Sequence, residues 1–344
     1  MRQGNYIKNI MSNTKNKIYI VTGATGFVGS VLTKRLVELG HTVHAVVRSK
    51  EKADRVLDGL AVKIFVADSC DKDALAEAFD TKDAEYVVMH AAGIVQLSGN
   101  RYQFAQMRRV NVLGTQNMID LCLKHNAKMM YISSVHALPA LKKGETATET
   151  SIFNPNLVKG KYDKSKASAC ALVVDAIKNS GLDAVIIHPS GIIGPGDCSN
   201  TNTSLMIRDY LLGRIPAATK GGFNFVDIRD VIEGIIKAES TPSGSSFILS
   251  GRYCSAKEML DILHEISGGK QITKTIPIWV GYLGLPFLWT WAKIRKKRPL
   301  YTAYHLFALS ANSNYSSDLA VKELDYTARD LKETIADAVA YIKG

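Results

Sequence analysis

Short, continuously apolar runs recur through the first half of the chain, separated by longer segments whose apolar positions return every three or four residues. The runs are KIYIVTG (17–23), HTVHAVV (41–47), VKIFVAD (62–68), AEYVVMHAA (84–92), AKMMYISS (127–134) and DAVIIHP (183–189). Their length and β-branched content predict strands. SVLTKRLVELG (30–40) shows the helical spacing, with Gly40 as its stop. A strand apolar at every position is buried on both faces, so such strands alternating with helices predict a doubly wound parallel sheet covered on each side. After about residue 190 the alternation loosens, and GPGDCSNTNTS (194–204) is rich in turn formers.

One connection carries candidate chemistry. VTGATGFVGS follows the first strand directly and opens the first helix, with glycines at Gly23, Gly26 and Gly29. Glycine permits a tight turn and lets the backbone approach a pyrophosphate, whose charge then rests on the unpaired N–H groups of the helix N-terminus. The spacing is G-x-x-G-x-x-G, not the commoner G-x-G-x-x-G fingerprint. Its position between strand and helix predicts a nucleotide site. A second stretch, GKYDKSKASA (160–169), sets Tyr162 four residues before Lys166 at the start of a helix, which puts both on one face.

Composition changes this picture little. The 344 residues are 46% hydrophobic and 22% charged, ordinary for a folded protein with a large core. The net charge of +11 permits attraction to phosphates, other anionic ligands or an anionic membrane without choosing among them. Five cysteines (Cys70, Cys122, Cys170, Cys198 and Cys254) show no metal or disulfide spacing, so a reducing cytoplasm is expected and no metal. The first sixteen residues lack the apolar region of a secretion signal and read as a flexible extension. Residues 275–292, TIPIWVGYLGLPFLWTWA, are uncharged and hold all three tryptophans, but Pro277, Pro286, Gly281 and Gly284 interrupt them. Beyond lies the basic run KIRKKR (293–298). That run lacks interleaved aromatics or a recognisable reader fold, so no nucleic-acid partner is expected.

The motifs together resemble the extended branch of the short-chain dehydrogenase/reductase family, the type that includes NAD-dependent epimerases and dehydratases. TGATGFVG, Asp68 after the third strand, HAAG (90–93), NVLGT (111–115), YISS (131–134), YDKSK (162–166) and NFVDIRDV (224–231) fall in the family's order and spacing, covering 17 to about 238. The resemblance implies a Rossmann-type domain over 17–189 with a returning segment near 224–250. Residues 190–223 and 251–344 would form a smaller, interleaved substrate domain. It also implies a nicotinamide dinucleotide, a Ser-Tyr-Lys group and a homodimer. Tyr162 would be the general acid/base, Lys166 would lower its pKa and bind the nicotinamide ribose, and Ser134 would polarise the substrate oxygen, in preference to Ser133. The dinucleotide would be held by Gly23, Thr25, Gly26, Phe27, Val28 and Gly29 of the loop, by Arg48, by Asp68 and Ser69, by Ala91, Ala92 and Gly93, by Tyr162 and Lys166, and by Pro189, Gly191 and Ile192.

Arg48 ends the second strand where NAD-selective sites carry an acid, which favours NADP(H) over NAD(H). Ser190 and Gly191 stand where nucleotide-sugar enzymes of the family place an aromatic residue and an asparagine. HPSGIIGPGD (188–197) is more similar to dihydroflavonol reductases and 3β-hydroxysteroid dehydrogenases. The expected reaction is therefore interconversion of a secondary alcohol and a ketone on a small apolar, steroid-like or flavonoid-like molecule. The alternatives are a nucleotide-sugar epimerase or dehydratase with tightly bound NAD, and a non-catalytic dinucleotide sensor, against which the intact Ser134, Tyr162 and Lys166 argue. His90 and His188 read as structural, whereas His136 and Ser190 are candidates to face the substrate. The aromatic cluster Trp279, Tyr282, Phe287, Trp289 and Trp291 is open to three readings: internal packing, a substrate wall with Trp279 in it, or contact with a membrane surface.

Overall fold

The computed structural model describes residues 16–142, 144–150, 152–285, 306, 309–311 and 313–344. Of the features expected above, the first fifteen residues, Phe287, Trp289, Trp291 and the basic run 293–298 lie outside the described residues.

The chain runs β1 (Lys17–Thr22), α1 (Phe27–Glu38), β2 (Thr42–Val47), α2 (Lys50–Val56), β3 (Val62–Val66), α3 (Lys72–Ala76), β4 (Glu85–His90) and α4 (Arg101–Arg108). One π-helical turn (Arg109–Leu113) leads into α5 (Gly114–His125), followed by β5 (Lys128–Ile132), a 3-10 turn (Val135–Ala137), α6 (Lys161–Ser180) and β6 (Ala184–Pro189). The later elements are β7 (Gly191–Ile193), α7 (Asn202–Leu211), β8 (Ala218–Thr219), β9 (Gly222–Asp227), α8 (Ile228–Ala238), β10 (Ser246–Leu249) and β11 (Arg252–Ser255). They end with α9 (Ala256–Ser267), β12 (Thr275–Ile276), α10 (Asp318–Leu324) and α11 (Leu331–Lys343).

Seven strands make the central sheet in the order β10-β6-β5-β4-β1-β2-β3, every neighbouring pair parallel. Side chains of a strand alternate between faces. Ile18 and Ile20 of β1 enter one core cluster with Ile119 of α5 and Val173 of α6, while Tyr19 and Val21 enter the other with Leu32 of α1 and Ile232 of α8. Both faces are thus covered, as the unbroken apolar runs predict, in a Rossmann-type arrangement. The order reverses between β1 and β4, and a ligand crevice opens at the carboxyl ends of strands at such a switch point.

The smaller part holds a sheet β11-β9-β7 and the pair β8–β12, around a cluster that includes Ile207, Tyr210, Leu263, Ile335 and Val339. Asp227 ties the parts together: it accepts from the Arg229 N–H at the start of α8 (2.7 Å) and from the Thr334 hydroxyl of α11 (2.8 Å). The returning segment differs in detail from the 224–250 expected. β9 stays in the small sheet, whereas α8 covers the large one and β10 closes its edge beside β6. Ala320, Leu324 and Tyr326 pack in the same cluster as α8, so the chain after residue 251 visits both parts.

Candidate active site

The glycine loop is built by close approach. Gly23 has φ +67°, and a Cβ there would lie 2.9 Å from Ala92 Cα; a Cβ on Gly29 would lie 2.1 Å from the Gly23 carbonyl oxygen. The loop is pinned to the end of β4, where the Ala92 N–H donates to Thr22 Oγ1 (3.1 Å) and Thr22 Oγ1 meets His90 Nδ1 (2.9 Å). His90 is fully buried, contacts Thr115 Oγ1 through its other nitrogen (3.3 Å), and burial lowers its pKa to about 3. Helix α1 starts at Gly26 with no side-chain cap and no acid in its first turn. Its first N–H groups therefore suit an anionic ligand. Thr25, Phe27 and Val28 complete the loop.

Arg48 is exposed immediately after β2 and makes no ion pair among the described residues, whereas Lys50 is engaged by Asp54 at 3.0 Å. Asp68 accepts from the Cys70 N–H (2.8 Å), and the buried Ser69 accepts at its carbonyl from Asn117 Nδ2 (3.0 Å). Pro189 ends β6. The Ser190 N–H donates to the Leu249 carbonyl (3.1 Å), while the buried Ser190 Oγ has no hydrogen-bond partner among the described residues. A Cβ on Gly191 would lie 2.9 Å from the Phe223 ring and 3.0 Å from the Asn224 carbonyl, so only glycine lets β7 approach β9 here; Ile192 pairs with Val226. These loops and strand ends fit a dinucleotide laid across the switch point.

Beside them lie Ser134, Tyr162 and Lys166. Helix α6 begins at Lys161, where Asp163 Oδ2 accepts from the Gly160 N–H (3.0 Å), so Tyr162 sits in the first turn and Lys166 one turn on. Both are 6% exposed. Lys166 Nζ donates to the Ile132 carbonyl (3.1 Å) and would lie 3.5 Å from a Cβ on Gly93. Burial lowers the pKa of Lys166 to about 8. Ser134 Oγ accepts from the His136 N–H (3.2 Å) and lies close enough to the Tyr162 phenol to lower its pKa. Ser133 points the other way, 2.9 Å from Cys170 Sγ in the core. The ring of His188, lowered to about 4 by burial, supports the Ser134 carbonyl (3.2 Å) and contacts Ser246 Oγ (3.2 Å).

Two observations bear on the expected roles. The surroundings of Tyr162 favour its protonated form. Burial dominates and holds the phenol above its usual range, the Ser134 hydroxyl pulls it back, and the nearby Asp163 charge pushes it further up. A buried phenol loses water around its anion, which disfavours the phenolate. Trp279, offered as a substrate wall, is 64% exposed. Aromatic rings at the site include His136, which meets Tyr162 edge-on (5.6 Å) and stacks on Phe223 (5.5 Å); Phe223 in turn meets Phe225 (6.0 Å) and Tyr315 (6.3 Å).

Sequence reading missed three contributors. Asn111, quoted within NVLGT without a role, sits in the π-helical turn and exchanges two hydrogen bonds with Ile94 (2.8 and 3.0 Å) while its Nδ2 donates to Ser165 Oγ (2.9 Å). It fixes the loop after β4 against α6. Asp163 stands 3.2 Å from His136 Nδ1. Phe223 carried no signal beyond its place before the NFVDIRDV motif.

The sequence model described as the NAD dependent epimerase/dehydratase family matches residues 19–247. A protein of Synechocystis sp. named "Putative dihydroflavonol 4-reductase" is 30% identical over 336 residues, 94% of each chain. Sterol demethylase protein B of Methylococcus capsulatus is 26% identical over 330 residues, covering 94% of this chain and 98% of that one. The crystal structure of gox2253 superposes with a TM-score of 0.81 at 30% identity, over 96% of this chain and 98% of the other.

Proposed function

The chain belongs to the NAD dependent epimerase/dehydratase family and is an oxidoreductase acting on a small molecule, and from that premise we propose that it is an NADP(H)-preferring reductase of a ketone on an apolar, ring-containing substrate. The observation that carries this reading is the buried juxtaposition of Ser134 and Tyr162, close enough for the serine hydroxyl to lower the pKa of the phenol, with Lys166 one helical turn on and beside Gly93.

A bound nicotinamide dinucleotide supplies or accepts the hydride. The protein's own residues handle the proton and the geometry. Ser134 positions the carbonyl oxygen and polarises it. Tyr162 donates its phenolic proton to that oxygen as negative charge develops there. Its raised pKa keeps the proton on the phenol at neutral pH, the state that reduction needs. Lys166 binds the nicotinamide ribose and, where charged, stabilises the phenolate left behind.

Three further features support the finer assignments. Arg48 stands free of acids at the end of β2, where a 2′-phosphate would lie. The rings of His136, Phe223, Phe225 and Tyr315 offer apolar area to a flat substrate. The relatives described above include a protein named as a dihydroflavonol reductase and one named for sterol demethylation. The test is a screen of NADPH and NADH oxidation against steroid, aromatic and sugar-nucleotide ketones. NADPH consumption with cyclic apolar ketones is expected; conversion of a nucleotide sugar with no net change in cofactor contradicts the reading.

A further inference from the structure

Lys166 is buried, and among the described residues it forms no ion pair; its hydrogen bond goes to the Ile132 carbonyl (3.1 Å). An ammonium taken out of water is costly unless its surroundings compensate it. The titratable groups around it supply no counter-charge. Burial lowers His90 of β4 to about 3 and His188 of β6 to about 4, and the charge of Lys166 pushes both further down. On α6, burial raises Cys170 to about 12 and holds Tyr162 above its usual range. Compensation comes instead from a ring. Lys166 Nζ lies 5.4 Å from the centroid of Tyr131 on β5, within reach of the negative face of an aromatic ring. Tyr131 is 1% exposed and fixed on both sides, paired with His90 of β4 and Ile186 of β6, while the His90 ring stacks on it at 5.9 Å. Its own acidity is pushed well below reach by burial, and its buried hydroxyl has no hydrogen-bond partner among the described residues.

We propose that Tyr131 is a positioning residue for the reaction, whose ring face keeps the buried Lys166 ammonium charged and in place beside the cofactor site. An ammonium carries three N–H donors and no acceptor. A carboxylate partner would hold those donors to itself. A ring face attracts the charge without demanding one donor direction, so with Ile132 satisfied donors remain for ribose oxygens and for the phenolate that Tyr162 leaves behind. Tyr131 stands three residues before Ser134, and the end of one strand thus supplies both the ring against the lysine and the hydroxyl beside the phenol. What the ring does for turnover rests on the ribose-binding role of Lys166 given above; the contact itself can be read without cofactor.

The experiment uses the full-length protein with lysine isotopically labelled at the ε carbon, whose NMR shift follows protonation; the Lys166 signal is the one missing from Lys166→Met. Titrated without cofactor, the natural chain should show a midpoint of about 8. Tyr131→Phe should leave that midpoint within about 0.3 of a pH unit, because the ring stays and no hydrogen bond is lost. Tyr131→Leu should lower it by about one pH unit, the tenfold that a desolvated contact between cation and ring is worth. Phenylalanines carrying one, two or three ring fluorines at position 131 keep the shape of the core and drain the ring face, so the midpoint should fall with each fluorine. NADPH affinity should weaken as pH rises through the same midpoint in each protein. A midpoint that is unchanged across phenylalanine, its fluorinated forms and leucine overturns the proposal. A midpoint that falls with fluorination while NADPH affinity ignores it confirms the ring contact and contradicts the ribose-binding role of Lys166 instead.

Discussion

His136 and Asp163 meet with 3.2 Å between Nδ1 and Oδ1, at the mouth of the helix that carries Tyr162. The carboxylate does two jobs, since its other oxygen accepts from the Gly160 N–H at 3.0 Å and closes the first turn of α6. The pair thereby couples the position of the phenol to the ring that stacks on Phe223. Asp163→Asn keeps an acceptor for the helix turn and loses the charge, whereas Asp163→Ala loses both. A hydrogen bond to a buried charged group contributes about 1.5–3 kcal/mol. Urea unfolding should therefore show Asp163→Ala destabilised by about 2 kcal/mol and Asp163→Asn by less than half of that; equal losses contradict the capping role.

Removing the imidazole should act on the substrate more than on the chemistry. His136→Ala deletes one ring of the aromatic surface, and such ring pairs contribute about 1 kcal/mol beyond area burial. Steady-state kinetics should show KM for the ketone raised about fivefold with kcat nearly unchanged. A fall confined to kcat would place His136 in proton transfer instead.

The glycine loop has no room for a methyl group at Gly29, where a Cβ would stand 2.1 Å from the Gly23 carbonyl oxygen. Gly29→Ala must move backbone on both sides of the first turn of α1. Titration with NADPH, followed by fluorescence, should find binding lost in that variant while Gly40→Ala, at the far end of the helix in open space, retains it.

The proposed preference for NADP(H) rests on one exposed cation. Arg48→Ala should weaken NADPH by about ten- to a hundredfold, the value of a hydrogen-bonded charge contact, and leave NADH within about twofold. Equal weakening of both dinucleotides in a binding titration contradicts the assignment.

Lys166 makes stability depend on pH in a definite direction. Its folded pKa of about 8 lies below the ordinary lysine value of 10.5, because burial penalises the ammonium. Between those values the unfolded chain holds more protons than the folded one, so this group's contribution rises with pH at up to about 1.4 kcal/mol per unit. Below pH 8 its penalty is fully present. Urea midpoints should thus show Lys166→Met more stable than the natural chain at pH 7, with the gap narrowing towards pH 10; parallel curves would mean that the lysine titrates normally.

Much of the cofactor half was legible in the sequence because its signals are local. Continuous apolar runs announce strands buried on both faces, the glycines of VTGATGFVGS announce a strand-to-helix turn, and Tyr162 and Lys166 fall on one helix face by spacing alone. What escaped depends on contacts between distant residues. The four residues of β10 complete the central sheet only by pairing with β6, and no local period distinguishes such a strand. Asn111 owes its inward reach to a π-helical turn that no residue pattern marks. Asp163 reads as an ordinary first-turn acid until His136 is brought against it. Trp279 was open in the sequence to packing, a substrate wall or a membrane contact, because no local pattern fixes which way a helix turns such a residue; it is 64% exposed.

The central claim is that Tyr162 delivers the proton to a substrate oxygen polarised by Ser134. Its most direct test is Tyr162→Phe, which removes only the phenolic oxygen, assayed for NADPH binding and for single-turnover ketone reduction. The account predicts NADPH affinity within about threefold of the natural chain and a rate lowered by about two to four orders of magnitude, the range that a positioned acid contributes. Undiminished turnover in that variant would contradict it.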